Sequence, residues 1–148
     1  MVRIRQVNVL TDCYRDLAVA IQTILAENDA PSAWTFEQTF ADLLRDDTVY
    51  YLAFSEAEEL VGFLALSVVM DESELTNLAV SPAFQGQGIA SLLLQQLAEM
   101  PGKLFLEVRA ANHTARHLYD KFGFEAYYRR QDYYQNPRED AILMKRET

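Results

Sequence analysis

A carboxylate at the end of a strand-like apolar run is a candidate proton acceptor, and Glu107, directly after Leu104-Phe105-Leu106, is such a group. Loss of water disfavours a charged carboxylate and moves its pKa toward the range of a general base, whereas an ordinary strand-end glutamate simply faces solvent. Twelve residues on, Tyr119 stands between Leu118 and Phe122 in a segment of helical spacing. A phenol there is either core or a proton donor to a leaving group of comparable acidity, its ordinary pKa being about 10. Asn112 precedes that segment as a loop or N-cap residue.

A second constellation is Gln85-Gly86-Gln87-Gly88-Ile89-Ala90-Ser91, between an apolar run that ends at Val80 and a Leu-rich helical pattern. A tight loop entering a helix offers free backbone N–H groups to a pyrophosphate, and glycine lets the main chain come close to it. Two readings fit these residues by themselves: a strand-to-helix turn with glycine for geometry alone, or a dinucleotide fingerprint. In the dinucleotide reading Gly86-x-Gly88 is followed by Glu107, nineteen residues beyond Gly88, near the spacing of a ribose ligand. Against it, Ser91 takes the third small position and the loop follows what reads as an antiparallel meander.

Other candidates carry less. His113 and His117 share a helical face, but two histidines do not make a metal site without further ligands, so no metal is expected. Cys13, the only cysteine, excludes an intrachain disulfide and reads as a core residue of an apolar helix. Gly102-Lys103 lacks the upstream glycine of a P-loop. Thirteen basic against 22 acidic residues give a net charge of −9, which disfavours nucleic acid and anionic membranes and favours a basic partner, or serves solubility alone. The alternating start Met1-Val2-Arg3-Ile4-Arg5-Gln6 and the lack of a long apolar run point to a cytoplasmic protein without signal or span.

The elements that must position these groups follow from periodicity, and residues 1–148 read as one domain. Val2–Gln6 alternates as a strand; Asp12 caps a helix to about Ala26; Thr35 with Gln38 makes a capping box for a helix over Phe36–Arg45 with Phe36, Phe40, Leu43 and Leu44 inward. Val49–Phe54, Leu60–Val69 and Leu75–Val80 predict three antiparallel strands. Then come a helix over about Gly88–Met100 with Ile89, Leu92, Leu93 and Leu97 against the sheet, a strand Leu104–Val108, a helix Thr114–Phe122 and closing strands Ala126–Arg130 and Ala141–Lys145.

Gln85, Gly88 and Ala90 satisfy the acetyl-CoA loop pattern Gln/Arg-x-x-Gly-x-Gly/Ala, with Asn77-Leu78-Ala79-Val80-Ser81-Pro82 before it. Leu106-Glu107-Val108-Arg109-Ala110-Ala111-Asn112 and Ala115-x-x-Leu118-Tyr119-x-x-Phe122-Gly123-Phe124 complete the likeness. Over Asn77–Met144 the chain resembles the GNAT acetyltransferase superfamily, and most its bacterial branch of ribosomal-protein alanine N-acetyltransferases. The resemblance implies a mixed, mostly antiparallel sheet splayed at the cofactor site and flanked by about four helices. It implies acetyl-CoA as co-substrate, held by Leu78, Ala79, Val80, Gln85, Gly86, Gln87, Gly88, Ile89, Ala90, Ser91 and Asn112. It makes Glu107 the base and Tyr119 the acid of direct transfer to an amine, with Trp34, Tyr133 and Tyr134 flanking a basic protein N-terminus. Trp34 does not directly follow Pro31, and the Tyr133-Tyr134 pair is shifted by a residue or two from the branch's pattern. A lysine, polyamine or other small amine remains the alternative acceptor, and a non-catalytic acyl-CoA sensor the alternative to an enzyme.

Overall fold

Tyr50-Tyr51-Leu52-Ala53 and Val61 to Leu66 are apolar at every position, the pattern of strands covered on both faces, and in the structure they are the buried centre of the sheet. The structure is a computed structural model that describes residues 1–28 and 34–147. Its strands are β1 (Arg3–Gln6), β2 (Thr48–Phe54), β3 (Leu60–Val69), β4 (Glu72–Val80), β5 (Lys103–Arg109), β6 (Glu125–Tyr134) and β7 (Glu139–Glu147). They form one sheet in the order β1-β2-β3-β4-β5-β7-β6, antiparallel except for β4 against β5. The expected meander is therefore present as β2-β3-β4.

Helices α1 (Tyr14–Asn28) and α2 (Phe36–Leu43) cover one face of β2 and β3, where Leu17, Ile21 and Leu43 pack on Tyr50, Leu52 and Phe63. Helices α3 (Ile89–Gln95) and α4 (His113–Lys121) belong to the other face, where Leu93, Leu97 and Tyr119 meet Leu66, Leu75, Leu104, Leu106 and Val108. A side chain such as Phe63 or Leu93, buried completely, contributes about 2–3 kcal/mol by leaving water. Strand β5 differs from β2 and β3 because Lys-Leu-Phe-Leu-Glu-Val-Arg alternates, with Leu104, Leu106 and Val108 buried and Phe105, Glu107 and Arg109 half-buried. Glu107 and Arg109 stand on that second face of β5, opposite the face on which Tyr119 packs.

Several local expectations need correction. Asp12 does not cap α1: its carboxylate accepts from both Arg5 guanidinium nitrogens, at 2.7 and 2.8 Å, and from the Asn8 N–H at 2.7 Å, so a nearer cation outcompetes the helix start. Cys13 is exposed at the α1 entrance rather than in the core. The capping box of Thr35 and Gln38 is present, but α2 ends at Leu43 and Leu44 points outward, 60% exposed. Helix α3 stops at Gln95, and the segment to Met100 continues in tighter turns with N–H groups bonding three residues back. Leu94 rather than Leu92 faces its core. Strands β4, β6 and β7 run longer than their apolar runs, because Glu72 to Glu74, Tyr134 with Glu139, and Arg146 with Glu147 join the ladders. No helix among the described residues is long and apolar enough to cross a membrane.

Candidate active site

The site begins as a fork. Strands β4 and β5 pair from Glu72↔Lys103 to Leu75↔Leu106 and then part, β4 staying with β3 and β5 with β7. The cause is local: Leu66 faces Leu75 and Ala65 faces Asn77, so Thr76 is an extra residue in β4, and such a bulge bends its strand. The Thr76 hydroxyl fixes the bulge by donating to the Ala65 carbonyl at 3.2 Å. Beyond the fork, residues 76–80 present a strand edge that β5 does not pair.

A cleft of about 910 Å³ opens in the fork, and its walls gather nearly every residue singled out from the sequence. Leu78, Ala79, Val80, Gln85, Gly86, Gly88, Ile89, Ala90, Ser91 and Asn112 line it; Gln87 does not. Glu107 and Tyr119 line it too, as do Trp34, Tyr133 and Tyr134. The loop that Trp34 closes, Asn28 to Trp34, lies outside the described residues at positions 29–33.

The glycines have a clear physical reason. Gly86 and Gly88 have φ of 80° and 81°, the left-handed region that side-chain-bearing residues rarely adopt, and a Cβ on either would meet no protein atom within 4 Å. Their faces thus open onto space. The Gln85 side-chain amide donates to Val80 O at 3.0 Å and to Asn28 Oδ1 at 2.8 Å, while Asn28 donates to Val80 O at 3.0 Å. These two amides latch the loop to the end of α1. Asn112 is the N-cap of α4, its Oδ1 accepting from the Ala115 N–H at 3.2 Å.

Tyr119 packs edge-on to Phe124 with ring centroids 5.9 Å apart, and burial pushes its phenol up to about 12. It is therefore a protonated donor throughout the neutral range. Glu107 sits at the fork with its Oε1 3.9 Å from an Arg130 nitrogen. The nearby Glu107 carboxylate raises the Tyr133 phenol. Arg130 lies over the Tyr133 ring at 4.8 Å. Burial first and the Glu107 charge second push Tyr134 up to about 12.

Strand β6 delivers the two tyrosines by an irregularity. Arg130 pairs with Ala141 but Tyr134 with Glu139, so β6 holds two extra residues there, and Asp132 adopts a φ of 50°. The Asp132 N–H donates to Asp140 at 2.9 Å and Arg129 reaches the same carboxylate at 2.7 Å, which together hold Asp140 below the usual carboxylate range. Arg109, two residues from Glu107 on the same strand face, donates to the Gln135 and Pro137 carbonyls at 3.0 and 2.9 Å and stacks on Tyr134 at 4.5 Å. Sequence reasoning passes over Arg109, Arg130, Asn28 and Glu74, the last also a lining residue. The only available signal was alternation, which puts Arg109 on the face of Glu107 and Glu74 on the face of Glu72.

A model of the acetyltransferase (GNAT) family matches residues 11–124. The chain is 36% identical to the ribosomal protein bS18-alanine N-acetyltransferase of Escherichia coli K12, over 81% of this chain and 92% of that protein. It is 34% identical to the enzyme of the same name from Salmonella typhimurium, over 82% and 93%. The crystal structure of the ribosomal-protein-S18-alanine N-acetyltransferase from Escherichia coli superposes with a TM-score of 0.81 at 30% identity, covering 99% of this chain and 93% of that one.

Proposed function

The chain belongs to the acetyltransferase (GNAT) family, and from that membership we propose that it transfers the acetyl group of acetyl-CoA to the N-terminal α-amine of an alanine-initiated ribosomal protein. The observation that carries the reading is the convergence of the glycine loop, Glu107 and Tyr119 on one forked cleft.

Members of the family use acetyl-CoA as co-substrate, and the cleft fits it. The open faces of Gly86 and Gly88 suit a pyrophosphate, and the unpaired edge of residues 76–80 suits an amide-bearing arm. With only seven residues in α3, the individual N–H groups of the loop matter more than a long helix dipole. Leu78, Ala79, Val80, Gly86, Gly88, Ile89, Ala90 and Ser91 would hold it, with Gln85 and Asn112 shaping the loop and helix that do so.

Acetyl-CoA supplies a thioester whose C–S bond breaks as the C–N bond to the amine forms. Glu107 accepts the proton of the incoming ammonium, directly or through water, and frees the nitrogen lone pair. The buried Tyr119 hydroxyl, protonated at neutral pH, gives its proton to the departing sulfur. An α-amine, with a pKa near 8 against about 10.4 for lysine, yields its proton more readily to a carboxylate. Trp34, Tyr133 and Tyr134 would flank the acceptor's first residue, and the charge of −9 suits a basic protein.

Mass spectrometry of an alanine-initiated, arginine-rich peptide beside its N-blocked form, a lysine peptide and spermidine tests the acceptor. Acetylation is expected at the free alanine amine and absent from the blocked peptide. Preference for spermidine or lysine would defeat the ribosomal assignment and leave the acetyltransferase class standing.

A further inference from the structure

A second groove, of about 370 Å³, meets the cleft at Glu107. The two share Glu74 and Glu107 and no other lining residue. None of residues 85–91 lines the second groove, so the phosphate loop lies wholly on the far side of those carboxylates. Its floor is the part of the sheet where β4 and β5 are still paired. Phe105 and Tyr127, edge to face with ring centroids 6.3 Å apart, make one wall, and Ser67 and Val69 of β3 stand at another.

The charge of this groove is one-sided. Glu72, Glu74 and Glu107 line it against Arg130 alone, and Arg130 is engaged by the Tyr133 ring and Glu107. Lys145 reaches the Tyr127 ring at 5.4 Å, but it is paired with Glu147 and does not line the groove. Among the described residues no cation and no hydrogen-bond donor contacts the Glu74 carboxylate, while desolvation and then the neighbouring Glu107 charge raise its pKa. A carboxylate left in that condition gains from a cation and loses from an apolar side chain laid against it.

We infer that the groove receives the side chain of the acceptor's second residue and selects a basic one, with Glu74 as the specificity-determining group. The inference rests on the reading of the main cleft as the site of a peptide α-amine. With that amine at Glu107, the second Cα lies about 3.8 Å from the first along the chain, so the second side chain starts beside Glu74, the other residue common to both cavities. The occupant is thus argued from continuity with the cleft and from charge, and the selected sequence begins Ala-Arg or Ala-Lys.

Peptides that differ only at the second residue, Arg, Gln or Glu, separate the possibilities when kcat/KM is measured by CoA release with the wild type, Glu74→Gln and Glu74→Lys. The wild type should favour Arg over Gln by about three- to fivefold, the size expected of a solvent-accessible ion pair, and should lose that preference as salt is raised. Glu74→Gln should abolish the preference and Glu74→Lys should turn it toward Glu. Because Glu74 is exposed and has no partner to lose, both variants should keep the wild-type Tm. Alanine-amine acetylation with the same second-residue preference in all three proteins, or with none in the wild type, overturns this inference and leaves the acceptor assignment intact. Failure to acetylate any of the peptides overturns both.

Discussion

The two sides of the cleft are built by different means. On the side of Gln85 to Ser91 the wall is main chain, shaped by two positive-φ glycines and a strand edge that a single bulge at Thr76 leaves unpaired. On the side of Tyr133 and Tyr134 it is long side chains held by other side chains, Arg130 on Tyr133 and Arg109 on Tyr134, with the Asp140 carboxylate fixing the Asp132 N–H beneath them. A backbone wall recognises what is common to every turnover, a phosphate and an amide-bearing arm. A side-chain wall can be changed one residue at a time, so the fold can keep the donor and vary the acceptor.

The largest effect should come where the two sides meet. Glu107→Gln keeps the shape of the side chain and removes its capacity to take a proton. Turnover should fall on the order of 100-fold, most severely at low pH where little free amine exists, while acetyl-CoA affinity stays nearly intact. Calorimetry of acetyl-CoA beside the pH profile of kcat checks both halves. Because burial keeps the Tyr119 phenol protonated far above neutrality, that profile should show no alkaline decline from this group below about pH 10. An unchanged rate for the Gln variant across the neutral range would move the base to ordered water. Smaller, and confined to the backbone side, is Gly88→Val. The β-branched residue must adopt a φ of 81°, at a cost of about 1–3 kcal/mol, and its Cβ enters the open space before the loop. Acetyl-CoA should bind about tenfold or more weakly by titration. A variant that folds and binds normally would show that the ligand does not approach the loop closely there.

The same contrast governs what the sequence could tell. The backbone side was legible because local pattern decides it: glycine spacing, an apolar run before it and an amphipathic segment after it. Glu107 and Tyr119 were legible as candidates, since one ends an alternating strand and the other stands among apolar helix positions. The reach of β6 was not, because its residues are almost all exposed and show no alternation between core and solvent. Its two-residue irregularity is fixed by Asp140, and the orientation of Tyr134 by Arg109, contacts that span 8 and 25 residues. Asp12 misled for a related reason: a helix-cap residue type was claimed by Arg5, seven residues back, through a bidentate pair. The Thr76 bulge that opens the fork has no signature in composition at all.

Arg109 tests the side-chain wall with the smallest expected change. Its guanidinium is largely buried, holds the carbonyls of Gln135 and Pro137, sits 3.3 Å from Glu139 and covers the Tyr134 ring. Glu139 in turn accepts from the Ala111 N–H just before α4, so the one arginine ties the β6–β7 connection to the strand that carries Glu107. Arg109→Ala strands those acceptors and should cost about 1.5–3 kcal/mol of stability, seen as a lower Tm. The kinetic consequence should be selective. Freed of its clamp, Tyr134 no longer meets the acceptor in one orientation, and KM for the peptide should rise about fivefold with acetyl-CoA affinity preserved, because the contacts to Gln135, Pro137, Glu139 and Tyr134 lie on the β6–β7 side of the cleft. Arg109→Lys should restore charge and part of the stability but not the KM, since an ammonium cannot bridge two carbonyls and lie flat on a ring. If kcat falls in both variants while the peptide KM stays constant, the clamp serves to hold Glu107's strand, and the acceptor wall owes its order to Arg130 and Asp140 instead.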